Sequence, residues 1–184
     1  MSILEIIAAT MGVLSVWYAR KNNVLVFPTG IVSVLIYVYI TYSYQIYAEA
    51  GINIYYFLMS VYGWILWTSK NKKIKKRISK NNKRDNTIYI TFFVVLFFAL
   101  WLILNSTDSD VIFLDSITTA LSLTAMLLLA RRKLENWIYW IIADIIYIPL
   151  FIYKELYITS IQYFIFLVLA ISGYREWKKL LRNV

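Results

Sequence analysis

The chain has 184 residues, 61% of them hydrophobic, a mean hydropathy of +0.64 and a formal net charge of +9. A soluble domain of this size cannot hide so large an apolar surplus in one core, so lipid is its natural solvent. The sequence contains no Cys and no His, which excludes disulfides, thiolate and imidazole metal sites, and Ser-His-Asp or Cys-His catalysis.

Apolar runs of about 17–25 residues, long enough to cross a bilayer core, predict seven helices. The first spans 2–19. It has no basic n-region or small-residue cleavage site, so it reads as a retained helix rather than a signal peptide. The second spans 24–44, and Pro28-Thr29-Gly30 is expected to break it near its start. The third spans 47–68, the fourth 88–104, the fifth 111–130, the sixth 136–153 and the seventh 156–177. Tyr and Trp gather near many of these ends, as interfacial belts require.

Seven spans sort the loops onto two sides. One side receives all but one of the 19 basic residues, including the run from Lys70 to Arg84; the other receives only Lys154. By the positive-inside rule the basic side is cytoplasmic, so the N-terminus lies outside and the C-terminus inside. The Lys-rich loop reads as a topology determinant and headgroup contact. It lacks the interleaved aromatics of a nucleic-acid patch, so no nucleic-acid partner is expected.

The third and seventh spans superpose in sequence. Tyr47 aligns with Tyr157, Tyr62-Gly63-Trp64 with Ser172-Gly173-Tyr174, and Trp67 with Trp177. Ala19-Arg20-Lys21 before the second span likewise matches Ala130-Arg131-Arg132 before the sixth. The chain therefore divides into a first three-helix repeat (1–69), a basic loop with a linker helix (70–110), and a second three-helix repeat with a basic tail (111–184). Three spans reverse the chain and the linker restores it, so the two repeats are parallel. Such repeats are a transporter architecture with a site near the midplane between halves.

Ionisable groups within spans are costly and point to function. Trp137, Trp140, Asp144 and Tyr147 are spaced 3, 4 and 3, which places them on one face of a helix. Flat aromatic walls with an acceptor between them suit an aromatic cation. The alternative is that Asp144 is an interhelical acceptor and the Trp residues are interface anchors. Asn53, Phe57, Ser60, Trp64 and Trp67 share a face of the third span. Gln162, Phe166, Ala170, Gly173 and Trp177 share one on the seventh in matching fashion, Gln162 standing for Asn53. The amides of Asn53 and Gln162 suit ribose hydroxyls or a carboxamide, or else bond neighbouring helices. Gly63 and Gly173 allow close helix approach. Asp115 opens the fifth span, as a helix-start residue or a substrate contact, and Asn136 opens the sixth.

The segments Gln45-Ile-Tyr47-Ala, Asn53, Tyr62-Gly-Trp-Ile-Leu-Trp67, Asp115-Ser, Leu121-Ser-Leu-Thr-Ala-Met126, Arg131-Arg-Lys-Leu-Glu-Asn136-Trp137-Ile-Tyr-Trp140, Tyr153-Lys-Glu-Leu-Tyr157 and Gly173-Tyr-Arg-Glu-Trp177 resemble PnuC-type nicotinamide riboside transporters. The resemblance covers nearly the whole chain except the linker helix and basic loop. It implies an all-α, SWEET-like bundle of three, one and three helices in a bacterial inner membrane. It also implies facilitated diffusion of a vitamin without a coupling ion, a functional link to a cytoplasmic kinase that traps the nucleoside, a homo-oligomer such as a trimer, and no cofactor. The substrate contacts expected on this basis are Asn53, Ser60, Trp64, Trp67, Asp115, Asn136, Trp137, Trp140, Asp144, Tyr147, Gln162 and Trp177. Asn53 stands where the family often has Gln, and the shorter amide reaches a different atom. Thiamine, like nicotinamide riboside, is an aromatic cation, and relatives of the family carry thiamine or riboflavin. A membrane enzyme, limited here to carboxylate or Lys chemistry, and a structural assembly subunit are the readings from other classes.

Overall fold

The computed structural model describes residues 3–71, 76–105 and 111–182. Lys72, Lys73 and Lys75 of the basic run lie outside the described residues. Seven helices follow in order: α1 (Ile3–Arg20), α2 (Val26–Ser43), α3 (Tyr47–Thr68), α4 (Lys83–Leu104), α5 (Ile112–Ala130), α6 (Asn136–Tyr153) and α7 (Tyr157–Arg182). Six are each long and apolar enough to cross a bilayer. The exception is α3, whose Glu49, Asn53 and many Tyr residues lower its hydropathy; its 22 residues still span about 33 Å.

Two expectations change in detail. α2 is not broken at Pro28-Thr29-Gly30: the helix starts at Val26, so Pro28 occupies its first turn, where no backbone N–H is needed. α4 begins at Lys83 rather than 88. A reciprocal cap lifts its start, with Asp85 N–H donating to Asn82 Oδ1 at 2.7 Å and Asn82 N–H donating back to Asp85.

The helices close into a ring. α2 lies between α1 and α3, and α6 lies between α5 and α7. α3 packs on α5 and α7 packs on α1, while α4 packs mainly on α5, with Phe93 also meeting Tyr139 of α6 edge-on at 6.4 Å. The third helix of each unit thus meets the first helix of the other, as a parallel pseudo-twofold requires. With α4 covering its outer side, α5 is the most buried helix.

The backbone carries the repeat more faithfully than the side chains do. Positive φ occurs at Asn22 (52°), Gln45 (62°), Arg132 (56°) and Glu155 (59°). Each closes a helix with the same pair of bonds, such as Asn22 N to Ala19 O with Asn23 N to Tyr18 O, and Arg132 N to Leu129 O with Lys133 N to Leu128 O. Asn22 pairs with Arg132 and Gln45 with Glu155 at the spacing that also relates Trp67 to Trp177. Two matches made from side chains therefore shift by one residue: Arg132 corresponds to Asn22 rather than to Lys21, and Tyr163, not Gln162, corresponds to Asn53.

One end of the ring, the basic end, is sealed by aromatic rings on the pseudo-axis. Trp67 of α3 donates its Nε1–H to Ala130 O of α5 (3.1 Å), and Trp177 of α7 donates to Ala19 O of α1 (3.0 Å). Each bond ties a third helix to the end of the other unit's first helix. The two indoles lie 6.0 Å apart, with Phe27 edge-on to Trp67 at 4.9 Å and Trp137 edge-on to Trp177 at 5.6 Å. Arg132 covers Trp67 at 4.0 Å. Burial brings its guanidinium down to about 10, so it stays charged at neutral pH and the cation–π contact persists.

Candidate functional site

Inside the ring, between this plug and the opposite end, α3, α5, α6 and α7 converge on a second aromatic group. Its hub is Tyr147 of α6, whose ring centre lies 4.4 Å from Tyr163 of α7 and 5.5 Å from Phe151 one turn further along. Phe151 and Tyr163 stack at 5.0 Å, and Phe166 meets Tyr163 edge-on at 5.7 Å. The phenols of Tyr147 and of Tyr56 from α3 both approach Ser122 of α5. The Ser122 hydroxyl is buried, with these two phenols facing it. Tyr55 anchors this side of α3 by donating to Leu123 O at 3.0 Å.

Asp144 sits one turn before Tyr147 on α6. It is 2% exposed and electrostatically coupled to Tyr163. Among the described residues no Lys or Arg pairs with it. A carboxylate in such a place is costly without a cation, because the low-dielectric interior replaces little of its hydration.

Toward the other end, Lys154 Nζ pairs with both oxygens of Asp115 at 2.8 and 3.0 Å. Asp115 occupies the first turn of α5 and Lys154 caps α6, each where the helix dipole favours its charge. Glu49 in the first turn of α3 feels both of them as well as the phenols of Tyr56, Tyr147 and Tyr163. Two acids and one base make this mouth net negative, which draws cations toward the aromatic core.

The twelve residues expected from sequence divide by position. Asp144 and Tyr147 lie in the core. Asn53 lies nearer the negative mouth and donates its Nδ2 to Glu49 O at 2.9 Å. Asp115 is at that mouth, and Gln162 is half-buried one residue before Tyr163. Trp140 packs at the edge of the plug. Trp67, Trp137 and Trp177 form the plug, and Asn136, fully buried, donates to Lys133 O at 2.6 Å beneath it. Ser60 lies at the contact of α3 with Gly30 of α2. Trp64 is 40% exposed and turns outward. Sequence reasoning did not single out Tyr56, Phe151, Tyr163 or Glu49, and it met Ser122 only within the Leu121–Met126 segment and not as a substrate contact. Applying the repeat spacing to Asn53 would have reached Tyr163, and Glu49 is an acid in the first turn of an otherwise apolar helix.

Residues 2–179 match the family model described as nicotinamide mononucleotide transporter. The chain belongs to this family. As a member of the nicotinamide mononucleotide transporter family it is a multi-pass membrane transporter and not an enzyme. It is 26% identical over 204 residues to the nicotinamide riboside transporter PnuC of Escherichia coli, covering 96% of this chain and 85% of that one. It is 23% identical to the PnuC of Neisseria mucosa, covering 98% and 73%. The crystal structure of the vitamin B3 transporter PnuC aligns with a TM-score of 0.77 at 23% identity, covering 98% of this chain and 82% of that one. This likeness to a solved family member supports the ring of two parallel three-helix units joined by one helix.

Proposed function

We propose that this protein carries nicotinamide riboside across a bacterial inner membrane by facilitated diffusion. One observation carries the reading: a buried carboxylate with no countercharge, Asp144, lies on the same helix as a stacked aromatic group and inside a ring of parallel repeats. A pyridinium ring can stack against the outer face of the Tyr147–Phe151–Tyr163 group while its positive charge faces Asp144. The buried Ser122 hydroxyl and the Asn53 amide suit ribose hydroxyls. The two curated relatives named nicotinamide riboside transporters support this substrate over thiamine, the other aromatic cation with the right chemistry. The remaining expected residues, Ser60, Trp64, Trp67, Asp115, Asn136, Trp137, Trp140, Gln162 and Trp177, act in this proposal through the plug, the mouth or helix contacts.

The basic end is the cytoplasmic one in this reading, so substrate enters at the Glu49–Asp115–Lys154 mouth and leaves past the Trp67–Trp177 plug. The solute is uncoupled to any ion, so net uptake needs a cytoplasmic kinase to phosphorylate it. A homotrimer is the proposed assembly.

A calorimetric screen of the detergent-solubilised protein against nicotinamide riboside, thiamine and riboflavin tests the substrate. Nicotinamide riboside is expected to bind at least about tenfold more tightly than either, a difference of about 1.4 kcal/mol. Tighter binding of thiamine would reassign the substrate, and binding of none would remove the reading.

A further inference from the structure

A cavity of about 340 Å³ at the basic end belongs to neither the aromatic core nor the plug. Its walls come from α3, α4, the α3–α4 loop and the α5–α6 connection. The loop wall is built rather than draped. Ser79 N donates to Arg132 O (3.1 Å), Leu134 N to Ser79 O (2.9 Å), and Asn81 N to the Glu135 carboxylate (3.0 and 3.1 Å). Arg132 Nη1 also holds Lys76 O at 2.8 Å.

The charges in this cavity do not cancel. Lys133 and Asp85 neutralise each other at 2.7 Å. Arg131 and Lys76 remain, and among the described residues no carboxylate pairs with either. Arg131 donates a long bond, 3.4 Å, to the Tyr89 phenol and also faces the Tyr62 phenol. Its Nε is buried without an acceptor, although buried donors are normally satisfied. The Tyr62 phenol and the Ser79 hydroxyl are further donors on the same walls. Arg20, at the corresponding connection of the first unit, reaches Ser172 Oγ at 3.2 Å, and its Nε is likewise buried without an acceptor.

We propose that this cavity binds a phosphate group, with Arg131 as the main ligand and Lys76, Ser79 and Tyr62 completing the shell. Guanidinium, ammonium and hydroxyl donors that outnumber the one acid, Asp85, itself paired with Lys133, are the chemistry that takes a tetrahedral oxyanion. The phosphate arrives either on a soluble phosphomonoester or on the headgroup of an anionic lipid. The site stands apart from the transport reading and does not depend on it.

The test is the thermal stability of the full chain, wild type and Arg131→Gln, in two settings. In neutral detergent, inorganic phosphate is titrated against chloride at equal ionic strength. In nanodiscs, neutral phosphatidylcholine is compared with a mixture containing phosphatidylglycerol. A phosphate-specific rise in the melting point in detergent, with apparent affinity about tenfold or more weaker in Arg131→Gln, supports the site with a soluble ligand. A rise only in anionic nanodiscs, lost in Arg131→Gln, supports it with a lipid ligand. No rise in either setting, or the same rise in Arg131→Gln, overturns it. The exposed Lys76→Gln variant repeats the measurement should Arg131→Gln fold poorly. Arg175→Gln, which removes one exposed charge elsewhere, is expected to respond like the wild type.

Discussion

Asp144→Asn is expected to weaken nicotinamide riboside binding by about two to three orders of magnitude. Removing one partner of a buried charge pair costs about 3–5 kcal/mol, because the ligand's positive charge is then left in a low-dielectric chamber with no countercharge. The amide has the size of the acid, so packing is preserved. Two further readouts separate a binding role from a structural one. The reduced, uncharged form of the nucleoside is expected to bind the variant and the wild type alike. The empty variant is also expected to be no less stable than the empty wild type, since among the described residues the carboxyl has no cationic partner to lose. A loss of stability in the empty state together with equal losses for charged and uncharged ligands would make Asp144 a strut between helices.

The second large effect falls on the plug. A Cβ added at Gly173 would lie 2.6 Å from Cη2 and Cζ2 of Trp137 and 2.7 Å from its Cε2. That indole is 1% exposed and wedged edge-on against Trp177, so it has nowhere to retreat. At the repeat-related Gly63 the added Cβ would run into the buried Phe27 ring and come within 3.1 Å of the Ala130 backbone. Overpacking of this kind costs about 1–3 kcal/mol or more. Gly173→Ala and Gly63→Ala are each expected to lower unfolding stability by about that amount in detergent. Gly51→Ala is the control. Nothing lies within 4 Å of its new methyl, so the change should be neutral or stabilise the helix by about 0.5–1 kcal/mol. Equal behaviour of all three variants would remove the close-packed plug from the account.

Much of the architecture was legible because two independent signals constrained it. Hydrophobic run length located the helices, and the charge asymmetry required an odd number of them. The predicted limits of α3 and α6 are those observed, and α7 begins one residue later than expected and continues to Arg182. The α4 start was misplaced because its first turn is polar and held by the Asn82–Asp85 cap, a signal that a search for apolar runs passes over. Which way each aromatic faces was much less legible. Where lipid and protein interior are equally apolar, helix periodicity cannot tell the inward Trp67 from the outward Trp64. The core group failed to appear for a related reason. Tyr56, Tyr147 and Tyr163 come from three helices, and nothing local in sequence reports that they meet. The repeat was visible in Gly63/Gly173 and Trp67/Trp177, yet its register over Asn53 slipped by one, because side chains at the site have diverged while the backbone caps at Gln45 and Glu155 have not.

Counterflow in proteoliposomes tests the central claim most directly. Vesicles loaded with unlabelled nicotinamide riboside and diluted into a trace of labelled solute, with no ion gradient, are expected to accumulate label transiently above equilibrium, and Asp144→Asn vesicles are expected to show none of this overshoot. Absence of counterflow by folded wild-type protein, or accumulation that appears only when a sodium or proton gradient is imposed, would contradict an uncoupled carrier built around Asp144.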